Sequence, residues 1–184
     1  MGKHKLIALE GLSGAGKSTI GEILAEKISG IFYKTPAQIF RDVRSEIDKC
    51  AEPTARFLFY LGGIFQSSFE ISKLLDSCDV VCDRYLLTTL LWHKLIGVDI
   101  DKLIPLCDSC LVMPDYTFLI LCENDIRLAR LYGRGLSPND RKERENNLEG
   151  KLLVEYKGYH LLEIDNSQEG AEIAVEAILK ILQG

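Results

Sequence analysis

Short apolar runs alternate along the chain with stretches in which apolar residues recur every three or four positions. Continuous apolar runs are typical of buried strands, and the three-to-four spacing is typical of amphipathic helices. The runs predict five strands, at residues 6–10, 31–34, 79–83, 116–122 and 159–164. The spaced stretches predict helices at residues 17–29, 36–49, 53–76, 86–96, 125–132, 148–156 and 169–182.

This alternation predicts the fold class. Strands that alternate with helices form parallel sheets whose connections cross over with a right hand. We therefore expect a three-layer α/β sandwich with a five-stranded parallel sheet, formed by a single domain over residues 1–184. Sheets of this kind bind ligands at the carboxyl ends of their strands, so polar residues that directly follow a strand are the first candidates for a site.

Composition narrows the classes of partner. The net charge is −5 and the isoelectric point is about 5.3, which disfavours nucleic-acid binding because that binding depends on neutralising phosphates. No apolar run reaches the roughly 18–20 residues that span a bilayer. The first residues contain no small-residue cleavage site, so we expect a cytoplasmic protein. The six cysteines are interpreted as structural thiols, because Cys107 and Cys110 form a CxxC pair without a second pair to complete a zinc site.

The segment after the first strand carries the clearest chemistry. Gly11, Gly16, Lys17 and Ser18 match the pattern G-x-x-x-x-G-K-[ST]. Glycines let several backbone N–H groups point into one concavity, the following helix adds its positive end, the lysine reaches the β- and γ-phosphates, and the serine hydroxyl can bind Mg²⁺. This pattern predicts a phosphate-binding loop (P-loop) for ATP, with contacts from Gly11, Ser13, Gly14, Ala15, Gly16, Lys17, Ser18 and Thr19.

Three features favour a kinase over other P-loop proteins. The Asn-Lys-x-Asp pattern that reads guanine is missing from the sequence. The third strand ends in "VVCDRY", so that Arg84 stands directly after Asp83. An arginine-rich segment at residues 133–147 follows the fourth strand and its helix, which predicts a lid that excludes water and neutralises the transferred phosphoryl group.

The sequence also resembles a known family. The motifs "ALEGLSGAGKST", "VVCDRY" followed by "LLTTLLWH", and "MPDYTFLILCENDIRLARLYGRG" are similar to those of thymidylate kinases and of the wider group of P-loop nucleoside monophosphate kinases. The similarity extends over almost the whole chain in order and spacing. It implies transfer of the γ-phosphoryl group of ATP, with Mg²⁺, to a small phosphate-bearing acceptor, most simply a nucleoside monophosphate.

The resemblance implies roles for single residues. Asp83 matches the aspartate that helps to hold the magnesium ion, and Arg84 matches the arginine that grips the acceptor phosphate, with Arg44 as a second candidate. Arg130 matches the arginine beside the adenine. Because Gly14 stands where some members carry a P-loop arginine, the catalytic arginine is expected in the lid. The expected catalytic residues are Lys17, Asp83, Arg134 and Arg141.

The acceptor side departs from the family pattern. The family's "REPGGT" is replaced by "YKTPAQIF", its P-loop acid by Ser13, and its thymine-reading arginine by Gly62 and Gly63. Phe65 and Trp92 remain as candidates to stack on a base, and Gln66 and His93 as candidates to hydrogen-bond one. We therefore predict that thymidylate is not strongly preferred over other pyrimidine monophosphates.

Two alternatives stay open from the sequence. In the first, the chain is a kinase whose acceptor is a nucleoside or another small metabolite alcohol, with Asp83 as the general base. In the second, the chain is a non-catalytic nucleotide-binding module. The long helix around Gly62 also suggests a homodimer, because a pair of glycines lets a second helix pack closely.

Overall fold

The computed structural model describes residues 4–137, 140–141, 144, 147–168 and 170–183. Five strands form one parallel sheet, which confirms the predicted fold class. They are β1 (Leu6–Glu10), β2 (Ile31–Lys34), β3 (Val80–Asp83), β4 (Tyr116–Leu121) and β5 (Leu162–Asp165). Their order in the sheet is β2-β3-β1-β4-β5, so β1 and β3 lie side by side near its centre and their carboxyl ends share one edge.

The helices cover both faces of this sheet. Within the described residues they are α1 (Lys17–Lys27), α2 (Gln38–Cys50), α3 (Pro53–Leu74), α4 (Leu86–Leu95), α5 (Ile104–Cys110), α6 (Asn124–Arg134), α7 (Leu148–Lys157) and α8 (Glu172–Gln183). The short helix α5 was not predicted from the sequence. The predicted start of the last helix at residue 169 lies outside the described residues. No helix in the described ranges is long and apolar enough to cross a bilayer.

Alternate residues of the central strands face two separate cores. Leu6 and Ala8 of β1 pack with α3 and α4, whereas Ile7 and Leu9 pack with α1 and α8. This alternation follows from the two-residue period of a strand, and it produces the three layers that the hydrophobic pattern predicts. The last strand begins at Leu162 and not at residue 159, because a tight turn joins the N–H of Leu161 to the carbonyl oxygen of Tyr159 at 2.7 Å.

The glycine pair of α3 does not interrupt the helix. A Cβ atom added to Gly63 would lie 2.8 Å from the Cβ atom of Pro36, and one added to Gly62 would lie 3.5 Å from the ring of Phe40. The two glycines therefore let the start of α2 approach α3 within the same chain. Packing within one chain therefore explains the glycine pair. The pair no longer indicates that a second subunit packs at this position.

The two glycines provide a matched test of this packing. Replacing a helical glycine with alanine gains about 1 kcal/mol of helix propensity, and Gly62→Ala should show that gain because its Cβ would make an ordinary contact. Gly63→Ala should instead destabilise the protein by about 1–3 kcal/mol, as expected for an overpacked site. Urea unfolding monitored by circular dichroism measures both values. Equal stabilisation by the two substitutions would contradict the packing described here.

Candidate active site

The loop between β1 and α1 has the backbone of a phosphate cradle. Gly11, Gly14 and Gly16 adopt φ angles of 133°, 86° and 94°, which strongly favour glycine. At Gly16 there is no room for a side chain either, since a Cβ atom would lie 2.3 Å from the amide nitrogen of Asn166. Ser13, Gly14, Gly16, Lys17, Ser18 and Thr19 line the cleft above the sheet, whereas Gly11 and Ala15 are buried beneath the loop. The structure thus places the predicted ATP-binding segment where an anion can approach the start of α1.

Lys17 lies over this loop. Its Nζ donates to the carbonyl oxygens of Gly11 at 3.0 Å and Leu12 at 2.8 Å, and the residue is 5% exposed. These contacts hold the ammonium group at the floor of the cleft. A phosphate seated in the loop would meet a positive charge that is already positioned, and pre-positioned charge is the largest contribution to most phosphoryl-transfer catalysis.

Oxygen atoms from the start of α1 and from the end of β3 meet beside the loop. The hydroxyl of Ser18 donates a short hydrogen bond to Oδ2 of Asp83. Lys34, at the end of β2, places its Nζ 3.4 Å from Ser18 Oγ and 3.9 Å from Asp83 Oδ2. The described residues contain no group of three or more His, Cys, Asp or Glu side chains that would hold a metal by themselves. Hydroxyl and carboxylate oxygens suit Mg²⁺ when the remaining ligands come from nucleotide and water.

Arg84 faces the loop from the neighbouring strand. Its φ angle is 64°, in the left-handed region. One guanidinium nitrogen donates to the hydroxyl of Ser13 at 3.2 Å, and the other donates to Thr88 Oγ1 at 3.1 Å. Ser13 of the P-loop thus contacts Arg84, the cation that follows β3. The predicted phosphate-binding loop and the predicted acceptor-binding arginine therefore lie next to each other in the cleft.

A buried acid fixes this arrangement. Glu10 is 0% exposed, and its carboxylate accepts hydrogen bonds from the N–H of Tyr85 at 3.0 Å, from the hydroxyl of Thr88 and from the hydroxyl of Tyr156 at 3.3 Å. Burial raises the pKa of Glu10, against the hydrogen bonds and the nearby Arg84 charge that lower it. The sequence analysis did not identify Glu10 as a site residue. Its one signal was an acid at the end of an otherwise apolar strand.

The far end of the loop adjoins the predicted adenine side. Arg130 Nη1 donates to the carbonyl oxygen of Asn166 at 3.0 Å and contacts Cys122 Sγ at 3.4 Å. Asn166, directly after β5, donates from its amide to the carbonyl oxygen of Ala15 at 2.8 Å. Arg130 therefore lies where α6, the P-loop and the loop after β5 converge. Asn166 is a further contact that the sequence analysis missed.

The basic cluster after β4 separates into different environments. Arg127 is 3% exposed and ties the carbonyl oxygen of Ser13 to the carboxylate of Glu149, so it braces the P-loop from behind. Arg134 lines the cleft and donates to Asp140 Oδ2 at 3.0 Å. Arg141 is exposed and is not among the described residues that line the cleft.

Asp140 is a buried acid in the segment predicted as a lid. It is 2% exposed and accepts a hydrogen bond from the N–H of Ser137 at 2.9 Å. Burial acts to raise its pKa, but hydrogen bonds from Ser137 and Ser13 and the charge of Arg134 hold the pKa of Asp140 below its ordinary value. Asp140 is therefore an anion, and it forms an ion pair with Arg134.

The acceptor half of the cleft is formed by α2, α3 and α4. The whole cleft has a volume of about 1100 Å³, slightly above the range for single ligands, which is roughly 300–1,000 Å³. Its wall includes Arg44, Asp48 and Tyr60. Arg44 Nε donates to the hydroxyl of Tyr60 at 2.8 Å, and that hydroxyl donates to Asp48 Oδ1 at 2.8 Å. Arg44 thus lies in the cleft as predicted, but two polar neighbours hold it.

An arginine that the sequence analysis missed lies on the same wall. Arg56 of α3 is 8% exposed, and its guanidinium carbon lies 4.4 Å from the ring centre of Trp92 in a cation–π contact. The predicted stacking of a base on Trp92 is thereby restricted, because Arg56 already covers part of the ring. The prediction from the sequence concerned only the thymine-reading position, where Gly62 and Gly63 stand, and it did not consider Arg56.

Two predicted base contacts face away from the cleft. Phe65 packs against the core between α3 and the sheet, and Gln66 donates to Glu70 Oε1 at 2.9 Å. Within the described chain, the positions of α3 that line the cleft are Arg56, Tyr60 and Ile64, which recur every four residues. Each residue turns a helix by about 100°, so a shift of one or two positions moves a side chain to another face.

Comparison with known proteins agrees with this geometry. Residues 9–178 match the family model described as thymidylate kinase. The chain is 26% identical to a probable thymidylate kinase of Methanocaldococcus jannaschii, with 98% of this chain and 96% of that one covered. It is 25% identical to probable thymidylate kinase 1 of Saccharolobus solfataricus, with 98% and 97% covered.

Solved structures show the same fold. The thymidylate kinase of Candida albicans matches with a TM-score of 0.76 and 18% identity over 98% of this chain and 92% of that one. The enzyme of Ehrlichia chaffeensis matches with a TM-score of 0.70 and 21% identity over 99% and 100%. The resemblance predicted from the motifs is confirmed: the chain belongs to the thymidylate kinase family and is an ATP-dependent nucleoside monophosphate kinase.

Proposed function

We propose that the cleft transfers the γ-phosphoryl group of ATP to the phosphate of a pyrimidine nucleoside monophosphate, thymidylate included. The observation that carries the proposal is the contact between Ser13 and Arg84, at 3.2 Å. This contact supports a triphosphate seat directly beside a cation suited to an acceptor phosphate. Phosphoryl transfer requires the two phosphates in line and within reach of each other.

On the donor side, the N–H groups of the P-loop and the ammonium of Lys17 bind the β- and γ-phosphates. Ser18 Oγ would hold Mg²⁺, and Asp83, which accepts a hydrogen bond from Ser18, would support that ligand. When bound, Mg²⁺ supplies charge that neutralises the phosphate oxygens. Arg130 and Asn166 lie at the adenosine end of this seat.

On the acceptor side, Arg84 binds the phosphate of the monophosphate, and Lys34 lies beside Ser18 and Asp83 on the metal side. A phosphate oxygen is already a nucleophile at neutral pH, so no general base is required. Asp83 is hydrogen-bonded to Ser18 and lies near Lys34. These contacts favour a role for Asp83 in positioning metal and phosphate over a role as the general base that removes a proton from an alcohol.

The segment 133–147 is the lid of this cleft in the proposed mechanism. Arg134 is bound to Asp140 and its side chain is 55% exposed, so it can exchange that carboxylate for a phosphoryl group when the cleft fills. Arg141 is the second lid arginine and has to turn inward from its exposed position. Closure of this kind excludes water and adds charge compensation together.

A homodimer remains part of the proposal, through the outer face of α3. Leu58 and Phe69 are 51% and 56% exposed on this helix, and large exposed apolar side chains on one face are typical of interfaces.

The proposed location is the cytoplasm. It is supported by six cysteines that are all free, as is usual where thiols stay reduced.

The acceptor class is tested by ADP release across a panel. We expect dTMP, dUMP, dCMP, UMP and CMP to stimulate ADP release, and the matching nucleosides without phosphate to be at least roughly a hundredfold poorer in kcat/KM, because Arg84 then lacks its partner. We also expect dTMP to lead the other pyrimidine monophosphates by less than roughly a hundredfold, about 2.7 kcal/mol. Equal turnover of nucleosides would refute the phosphate-bearing acceptor.

Lys17 is tested by removing its charge. Lys17→Ala should lower kcat by at least ~10²-fold, because the charge acts on the β/γ-phosphates in the transition state. Lys151→Ala is the control, since Lys151 is exposed on α7, and it should keep wild-type kcat. A folded Lys17→Ala protein with full activity would exclude the proposed donor seat.

The lid is tested by hydrogen exchange. Peptides that cover residues 133–147 should exchange more slowly when a bisubstrate analogue fills the cleft, because closure shields their amides. Peptides from α8 should show no change, because this helix packs on the other face of the sheet from α3 and α4. Unchanged exchange over 133–147 at saturating analogue would count against a lid.

A further inference from the structure

Two polar atoms are buried in the acceptor half of the cleft without a hydrogen-bond partner in the described part of the chain. They are Nε2 of His93 and Nε of Arg56, on residues that are 3% and 8% exposed. Leaving a buried polar group unpaired costs about 1–3 kcal/mol, so native proteins retain few of them. Both residues line the cleft, which points to a ligand as the missing partner.

The hydrogen-bonding character of His93 follows from its other nitrogen. Nδ1 lies 2.7 Å from the carbonyl oxygen of Thr89, and a carbonyl can only accept, so Nδ1 carries the hydrogen. Burial lowers the pKa of His93 to about 4, and the charge of Arg56 acts in the same direction. The imidazole is therefore neutral near pH 7, and its Nε2 is an acceptor with a free lone pair.

The surroundings hold both groups in place. The His93 ring lies 5.2 Å from Phe57, 5.7 Å from Tyr60 and 4.9 Å from Trp92, measured between ring centres. Trp92 also carries the guanidinium of Arg56 on its face. Aromatic walls exclude water, which strengthens any hydrogen bond that a ligand makes with the pair. The cleft thus presents one acceptor and one donor at fixed positions on α4 and α3.

We propose that His93 and Arg56 bind the base of the acceptor by hydrogen bonds, with His93 Nε2 accepting a hydrogen from a base N–H and Arg56 donating to the adjacent acceptor of the base. Uracil and thymine offer N3–H beside O4, and cytosine offers its amino group beside N3, so each provides a donor next to an acceptor. The inference rests on the proposed function of this cleft and adds the residues that read the base. It also explains how a base is read without an arginine at positions 62 and 63.

A base without any N–H group tests the proposal directly. The 2-pyrimidinone deoxyribonucleoside monophosphate has the ring, sugar and phosphate of dUMP but offers no base hydrogen to His93. With the wild-type protein we expect kcat/KM for dUMP to exceed that for the 2-pyrimidinone nucleotide by at least about 30-fold, because the analogue leaves Nε2 buried and unpaired. The difference should lie mainly in KM.

Variants assign this discrimination to one atom. His93→Phe removes the acceptor and should reduce the ratio of dUMP to the analogue to below about threefold. His93→Gln keeps an acceptor oxygen and should retain most of the discrimination. His160→Phe is the matched control, since His160 is exposed outside the cleft, and its ratio should equal that of the wild type.

Each outcome decides the inference. Equal kcat/KM for the two nucleotides in the wild-type protein would overturn it whether or not the variants fold. A wild-type ratio that persists in folded His93→Phe would also overturn it, because another group would then read the base. If no nucleoside monophosphate were phosphorylated, the proposed function would fall together with this inference, which separates that failure from the other two.

Discussion

The carboxylate of Glu10 joins the two loops on which the cleft depends. It sits at the last residue of β1, immediately before the P-loop, and accepts hydrogen bonds from the turn that follows β3. Strand pairing alone aligns β1 with β3 only as far as Leu9 and Asp83. Beyond that register Glu10 still pairs with Leu119 of β4, and its buried carboxylate connects the end of β1 to the residues that follow β3. Arg84, held by Thr88, reaches Ser13 because of this connection.

The two halves of the cleft are built by different means. The donor half uses backbone: glycines with positive φ angles, the start of α1, and carbonyl oxygens that position Lys17. Such a cradle recognises phosphate and is indifferent to most side chains around it. The acceptor half uses side chains on three helices, and there the recognition of a base depends on individual residues such as Arg56 and His93.

The same division explains what the sequence could predict. A P-loop depends on residue types at fixed spacing within one short segment, so Gly11 to Ser18 are recognisable without coordinates. The sheet follows from apolar runs that alternate with helical spacing. The cleft-facing side of α3 depends on the helix phase and on how α2 crosses it, neither of which is local. Gly63 contacts Pro36, Arg56 lies in the cleft about two turns before the expected arginine position, and Phe65 faces the core for this reason. Glu10 was missed because its partners come from distant segments.

In the proposed mechanism one cleft seats both phosphate groups, side by side. Titration calorimetry with an adenosine–deoxyuridine pentaphosphate, a bisubstrate analogue, tests this most directly. We expect one analogue to bind per chain, to be displaced both by a non-hydrolysable ATP analogue and by dUMP, and to bind far more tightly than either because one molecule fills both seats. An analogue that either ligand fails to displace, or that binds together with the ATP analogue, would show that the two seats do not share this cleft.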